Sequence, residues 1–148
     1  MGVWYLGYGL SIVRCRIVIA APLPVVRELS TGLHEHCDIK DAETYEEVTG
    51  LIARQCPDLV LVCYVFDEMR PFRLISYVRE ELGRGNLPIV LVRALPVPLG
   101  ATQEAEIRES YKTLGVAEFV NFRDYARERG VDRALEYLRA VVLRLLPA

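Results

Sequence analysis

Lysine is almost missing from this chain. Only Lys40 and Lys112 break an otherwise all-arginine set of bases, and 18 Lys+Arg against 20 Asp+Glu leave a net charge of -2. With basic residues scattered among acidic ones there is no electrostatic footprint for DNA or RNA, and nucleic acid is not an expected partner. The preference for arginine reads as genome composition rather than a binding task. Close cysteine pairs are missing too. Cys15, Cys37, Cys56 and Cys63 include no CxxC, and 148 residues suffice to build a core without a disulfide framework, so reduced thiols in a cytoplasm are expected. Residues 1–13 are apolar and aromatic but have no basic head and are too short for a bilayer. Neither a signal peptide nor a membrane span is expected. Leu6-Gly7-Tyr8-Gly9-Leu10 lacks the full glycine spacing of a dinucleotide site. With Trp4, Tyr5 and Tyr8, the segment admits an extra strand, a docking arm or upstream sequence, and it is set apart as an N-terminal extension.

What is present is a pattern of buried strands. Pro57-Asp58-Leu59-Val60-Leu61-Val62-Cys63-Tyr64-Val65-Phe66-Asp67 joins a proline to an unbroken aliphatic run, the mark of a parallel strand buried on both faces. Arg16-Ile17-Val18-Ile19-Ala20-Ala21 and Leu87-Pro88-Ile89-Val90-Leu91-Val92-Arg93 repeat it. A shorter strand is expected over Cys37–Ala42, and a fifth over 117–122.

Helical spacing fills the intervals. Pro22 and Pro24 turn into a helix burying Val25, Val26, Leu29 and Leu33. Thr44-Tyr45-Glu46-Glu47 is a capping box that opens a second helix burying Val48, Leu51 and Ile52. Met69, Phe72, Ile75, Val78 and Leu82 define a third, which Pro71 can join only in its first turn and which Gly83 and Gly85 close. Thr102 is the expected cap of a fourth helix reaching Leu114, with Gly115 as its stop. A one-turn piece over 124–128 precedes a last helix from Asp132 that buries Ala134, Leu135, Leu138, Val141, Val142 and Leu145. Five strands alternating with helices predict an α/β fold of the flavodoxin-like, doubly wound type. Its five-stranded parallel sheet has the order 2-1-3-4-5, with helices on both faces. Ligands in such folds sit beyond the carboxyl ends of the central strands. Ala20, Ala21, Pro22, Cys63, Tyr64 and Arg93 therefore decide the chemistry.

Over residues 14–148 the chain resembles the receiver domains of bacterial response regulators. The likeness rests on Pro57-Asp58-Leu59-Val60-Leu61-Val62, Leu87-Pro88-Ile89-Val90 and Gly115-Val116-Ala117-Glu118-Phe119-Val120. A working receiver is expected to have an acidic pair after strand one, a phosphoryl-accepting Asp ending strand three, a hydroxyl ending strand four and a lysine after strand five. Those positions fall on Ala20 and Ala21, on Cys63, on Arg93 and on Phe122. Methyl groups offer magnesium no oxygen ligand, and a thiol cannot supply a carboxylate nucleophile. Phe119 keeps the family's strand-five aromatic. The resemblance thus implies a degenerate receiver, a non-enzymatic module without cofactor or metal that acts by binding a protein of unknown identity, including a second copy of itself. Glu104, Arg108, Tyr111, Phe119, Asn121 and Tyr125 lie on the surface that receivers commonly use to dimerise.

Other groups of residues carry chemistry beside these. Cys63 and Arg93 end neighbouring strands, so a guanidinium that lowers the thiol's pKa would make a thiol-reactive pocket or one sensing an anion or small molecule, the alternative function. Against it, no histidine follows the third strand to act as a base. Asp67, a displaced acceptor on one reading, sits with Glu68 where a helix N-terminus favours negative charge. His34-Glu35-His36-Cys37 has zinc-type donors but no evident fourth ligand, and reads as a solvated turn. The loop Ala21-Pro22-Leu23-Pro24 lacks the glycines and hydroxyls that cradle a flavin phosphate.

Overall fold

The structure is a computed structural model, and it describes residues 14–67, 71–96 and 98–147. The N-terminal extension therefore lies outside the described residues, as does the expected start of the third helix at Met69. Five strands, β1 (Cys15–Ala20), β2 (Cys37–Ala42), β3 (Leu59–Cys63), β4 (Ile89–Val92) and β5 (Glu118–Val120), form one parallel sheet. Its order is β2-β1-β3-β4-β5, as the alternation predicts. The helices are α1 (Leu23–Ser30), α2 (Tyr45–Gln55), α3 (Pro71–Ser76), α4 (Ala101–Thr113), α5 (Phe122–Arg129) and α6 (Val131–Leu145).

Side chains on a strand alternate between faces, and the two cores follow that parity. Ile17, Ile19, Leu59, Leu61, Val90, Val92 and Val120 point to one layer, where Val25 and Leu29 of α1 and Leu138 and Val142 of α6 cover them. Val18, Val60, Val62, Ile89 and Leu91 point to the other, against Val48 and Ile52 of α2 and Leu74, Ile75 and Val78. Each fully buried aliphatic chain contributes roughly 1.5–3 kcal/mol, and the uninterrupted runs in β1, β3 and β4 are read this way because both faces are covered. Asp58 ties the base of β3 to β1: its carboxylate accepts from Arg16 N at 2.8 Å while its own amide donates to Arg16 O at 2.8 Å.

Several local expectations shift. The third helix follows α geometry only through Ser76. From Tyr77 to Glu81 it widens into a π turn, with Leu82 N donating to Tyr77 O, and Gly83 closes it at φ +63°. The cap of α4 is Gly100, whose amide donates to Gln103 Oε1 at 3.0 Å, and Thr102 lies inside the helix. The fifth strand stops at Val120, because Asn121 caps a helix that begins at Phe122 and runs through Arg129, longer than the single expected turn. In the capping box, Glu47 N donates to Thr44 Oγ1 as expected, but the Glu47 carboxylate takes the Thr44 hydroxyl rather than its backbone N–H.

Candidate functional site: the crevice above the strand ends

Four strand ends meet at one edge of the sheet. Ala20 and Ala21 end β1, fully buried, and Ala21 N donates to Ala42 O at 3.2 Å. Cys63 ends β3 with its thiol in the α1/α6 layer, and Phe122 is fully buried in that same layer. Ala20 and Ala21 at the first strand's end, Cys63 at the third's and Phe122 just beyond the fifth are thus packing residues.

Cys63 and Arg93 do not meet as a pair. The register couples Cys63 with Val92, so Arg93 stands one residue further on, and a one-residue step along a strand sends the side chain to the opposite face. No guanidinium pulls on the sulfur. Burial pushes the Cys63 thiol above its ordinary 9.0, and the amides of Val65 and Ala94 only partly oppose that. This is the opposite of the shift that makes a cysteine reactive.

Arg93 faces a polar cluster drawn from separate elements of the chain. Its Nη1 donates to Asp124 Oδ1 at 2.8 Å and to Asn121 Oδ1 at 3.0 Å, with its side chain only 7% exposed. Asn121 Nδ2 donates in turn to Asp124 Oδ2 at 2.9 Å and to Glu104 Oε1. Glu104 Oε2 accepts from Arg108 Nε at 3.1 Å, and Arg108 Nη1 donates to Phe119 O at 3.1 Å. The Arg108 guanidinium also lies 4.7 Å from the centroid of the Phe119 ring, a cation–π contact. Burial alone would raise the Asp124 carboxyl, but the bond and charge of Arg93, aided by Arg127 and Asn121, hold it below its ordinary 3.8. The chain thereby joins β4, α4, β5 and α5 through charge-assisted hydrogen bonds, the stronger class.

Of the residues expected on an interaction face, Glu104, Arg108, Phe119 and Asn121 belong to this one network. Tyr111 adjoins them on α4, half-buried, its hydroxyl pKa raised by burial and by Tyr64. Tyr125 does not join them. It stacks on Tyr137 of α6 with centroids 5.0 Å apart and planes at 9°, in the opposite layer. Asp124 is the residue sequence reading missed. Its signal was the Asn121-Phe122-Arg123-Asp124 spacing, in which Asn121 Oδ1 caps Asp124 N.

A cavity of about 480 Å³ opens beside the network, with Arg93, Arg123 and Arg127 in its wall. All three guanidiniums are already paired, Arg93 and Arg127 with Asp124 and Arg123 with Glu28, and Cys63 is not part of the lining. Asp67, at φ +39°, accepts from Tyr45 N at 2.6 Å, so its carboxylate serves the first turn of α2. Among the described residues no group of three His, Cys, Asp or Glu side chains gathers as metal ligands. His34 to His36 form a turn, with His34 Nδ1 against Ser30 O. No described helix is long and apolar enough to cross a membrane.

Comparison with known proteins gives the fold a setting. No family model and no curated protein matches the sequence. Solved structures do match. The chemotaxis protein CheY4 of Vibrio cholerae is 14% identical with a TM-score of 0.67, covering 90% of this chain and 100% of that one. A response regulator from Hahella chejuensis is 14% identical with a TM-score of 0.65, over 85% and 92% of the two chains. The Mn²⁺-bound response regulator Rcp1 is 9% identical with a TM-score of 0.66, over 91% and 99%. The fold of this chain is therefore that of the response-regulator receiver domains.

Proposed function

We propose that this protein is a receiver-like signalling module that does not depend on phosphorylation and acts through protein–protein contacts, with a second copy of itself among its partners. The observation that carries the reading is the content of the crevice. Where a phosphoryl acceptor with its cation needs converging oxygen anions, the chain has two alanine methyls, a buried protonated thiol, a core phenylalanine and an arginine neutralised by Asp124. Such a site gives neither a carboxylate to attack phosphorus nor a ligand set for a hard cation.

The binding half of the reading draws on α4. This helix buries none of its residues fully, yet Glu104 and Arg108 pin it to Asn121 and Phe119. A solvated helix held at a fixed angle, with arginine and aromatic character at its edge, suits an interface. Thiol chemistry at Cys63, the alternative, has the raised pKa and the divergent Arg93 against it.

The test is incubation of the full chain with acetyl phosphate and Mg²⁺, followed by intact mass and acid lability. No adduct is expected, and a stoichiometric acid-labile phosphoryl group would overturn the reading. For the binding half, sedimentation of wild type against Arg108→Glu across a concentration series is expected to show weaker self-association in the variant. A strict monomer at all concentrations removes the self-partner.

A further inference from the structure

We propose that Cys15 and Cys37 are an oxidisable dithiol, a modification site at which a hydroperoxide forms a disulfide that fastens the edge strand β2 to β1. Their distance in sequence hides them from any motif. The parallel register makes them Cα partners at the first rung of the ladder, and both side chains turn into the α1/α6 layer. Their sulfurs lie 2.7 Å apart, and Cys15 Sγ also donates to His36 O at 3.2 Å. Neighbouring strands run about 4.8 Å apart, inside the window of roughly 4.4–6.8 Å between Cα atoms that a disulfide spans. Little backbone movement is needed for closure.

The other two cysteines are excluded by position. Cys63 shares the layer but sits at the far end of β3, and Cys56 is exposed after α2 in a left-handed turn. The first rung also lies at an edge of the sheet. The edge strand β2 pairs only with β1 and exposes Asp38, Lys40 and Asp41, so lifting it uncovers little apolar surface. A cavity of about 570 Å³ runs along this edge, with Arg14, His34, Cys37 and Asp38 among its walls. It is large enough for hydrogen peroxide or a small organic hydroperoxide.

The thiols rest in an unreactive state. Burial, the hydrogen bond that the Cys37 thiol makes to Cys15 and the charge of Cys15 push the Cys37 thiol up to about 12, with Arg14 pulling the other way. Reaction therefore proceeds through transient opening of the edge, when one sulfur loses its proton and attacks the O–O bond. That sulfur becomes a sulfenic acid and the peroxide leaves as an alcohol, or as water in the case of hydrogen peroxide. The second thiol then displaces the sulfenic oxygen as water. In sum, two thiols and one hydroperoxide give one disulfide, one alcohol and one water, with two electrons passing from sulfur to oxygen. A thiol reductant reverses the bond by exchange. The closed loop would hold β1 and α1 together as one stapled unit.

The test uses the full chain with Cys56→Ser, which removes the exposed thiol and its intermolecular coupling. The protein is treated with hydrogen peroxide under native conditions, alkylated in denaturant and mapped by mass spectrometry. Expected are a linked pair of peptides containing Cys15 and Cys37, an alkylated Cys63, and a thermal midpoint raised by about 5–10 °C that dithiothreitol reverses. Should both thiols remain alkylatable, or should a link to Cys63 form in preference, the proposal is overturned. Cys37→Ser is expected to abolish the midpoint shift. If that variant does not fold, the peptide map and the reductant-reversed midpoint of the Cys56→Ser protein decide alone.

Discussion

Asp124 and Arg93 form an ion pair of 2.8 Å at the mouth of the crevice, in which the arginine is nearly sealed from solvent and the carboxylate is about one-third open. The pair is a strut between the end of β4 and α5. Removing either member leaves a charge with weakened compensation. Asp124→Ala is expected to cost about 2–3 kcal/mol, because the buried guanidinium keeps only Asn121 of its two named acceptors. Urea unfolding at neutral pH measures it.

The same pair makes stability depend on acid. The Asp124 carboxyl is depressed in the folded state, so its contribution is fully present above the unfolded value of about 3.9 and is lost as pH falls through the lower folded value. Wild type should therefore lose stability below about pH 4 more steeply than Asp124→Asn. Parallel curves for the two proteins between pH 5 and 2, as unfolding midpoints in urea, would count against the strut.

On the proposed function, placing a carboxylate at Cys63 does not by itself make a phosphoryl acceptor. Cys63→Asp puts a carboxylate into a layer of Ile19, Leu61 and Val92, so it will be protonated or destabilising by about 2–4 kcal/mol. No phosphoryl adduct should form with acetyl phosphate and Mg²⁺, and thermal melting should show the loss.

Thiol accessibility orders the cysteines. Cys56 is exposed, whereas Cys63 is buried and its proton is held above the ordinary thiol value. In native protein at pH 8, iodoacetamide should label Cys56 first and leave Cys63 unmodified over the same period, as followed by intact mass. Equal labelling would contradict the packed environment.

Helix α4 buries no residue fully, packs Ile107 and Tyr111 partly against the core, and adds polar contacts. Breaking the Glu104–Arg108 pair with Arg108→Ala removes an i,i+4 ion pair together with the bond to Phe119 O and the ring contact, about 1 kcal/mol in all. Amide exchange across Ala101–Thr113 is expected to accelerate several-fold while β3 stays protected.

Much of this was legible in the chain because burial on both faces leaves a plain signature. The runs around Val60, Ile19 and Val90 identify central parallel strands without reference to anything distant, and the helical spacing of Leu138, Val141 and Val142 identifies what covers them. The residue types at Ala20, Ala21, Cys63, Arg93 and Phe122 were equally visible, since the absence of a carboxylate can be read from residue identity alone. Register and direction could not be read this way. Whether Arg93 meets Cys63 or Asp124 depends on a single step of a period-two strand. Whether Cys15 meets Cys37 depends on how two strands separated by a helix line up. Both are settled only when the sheet assembles, because side-chain partners across strands come from the pairing of whole segments and not from any local preference of the residues involved.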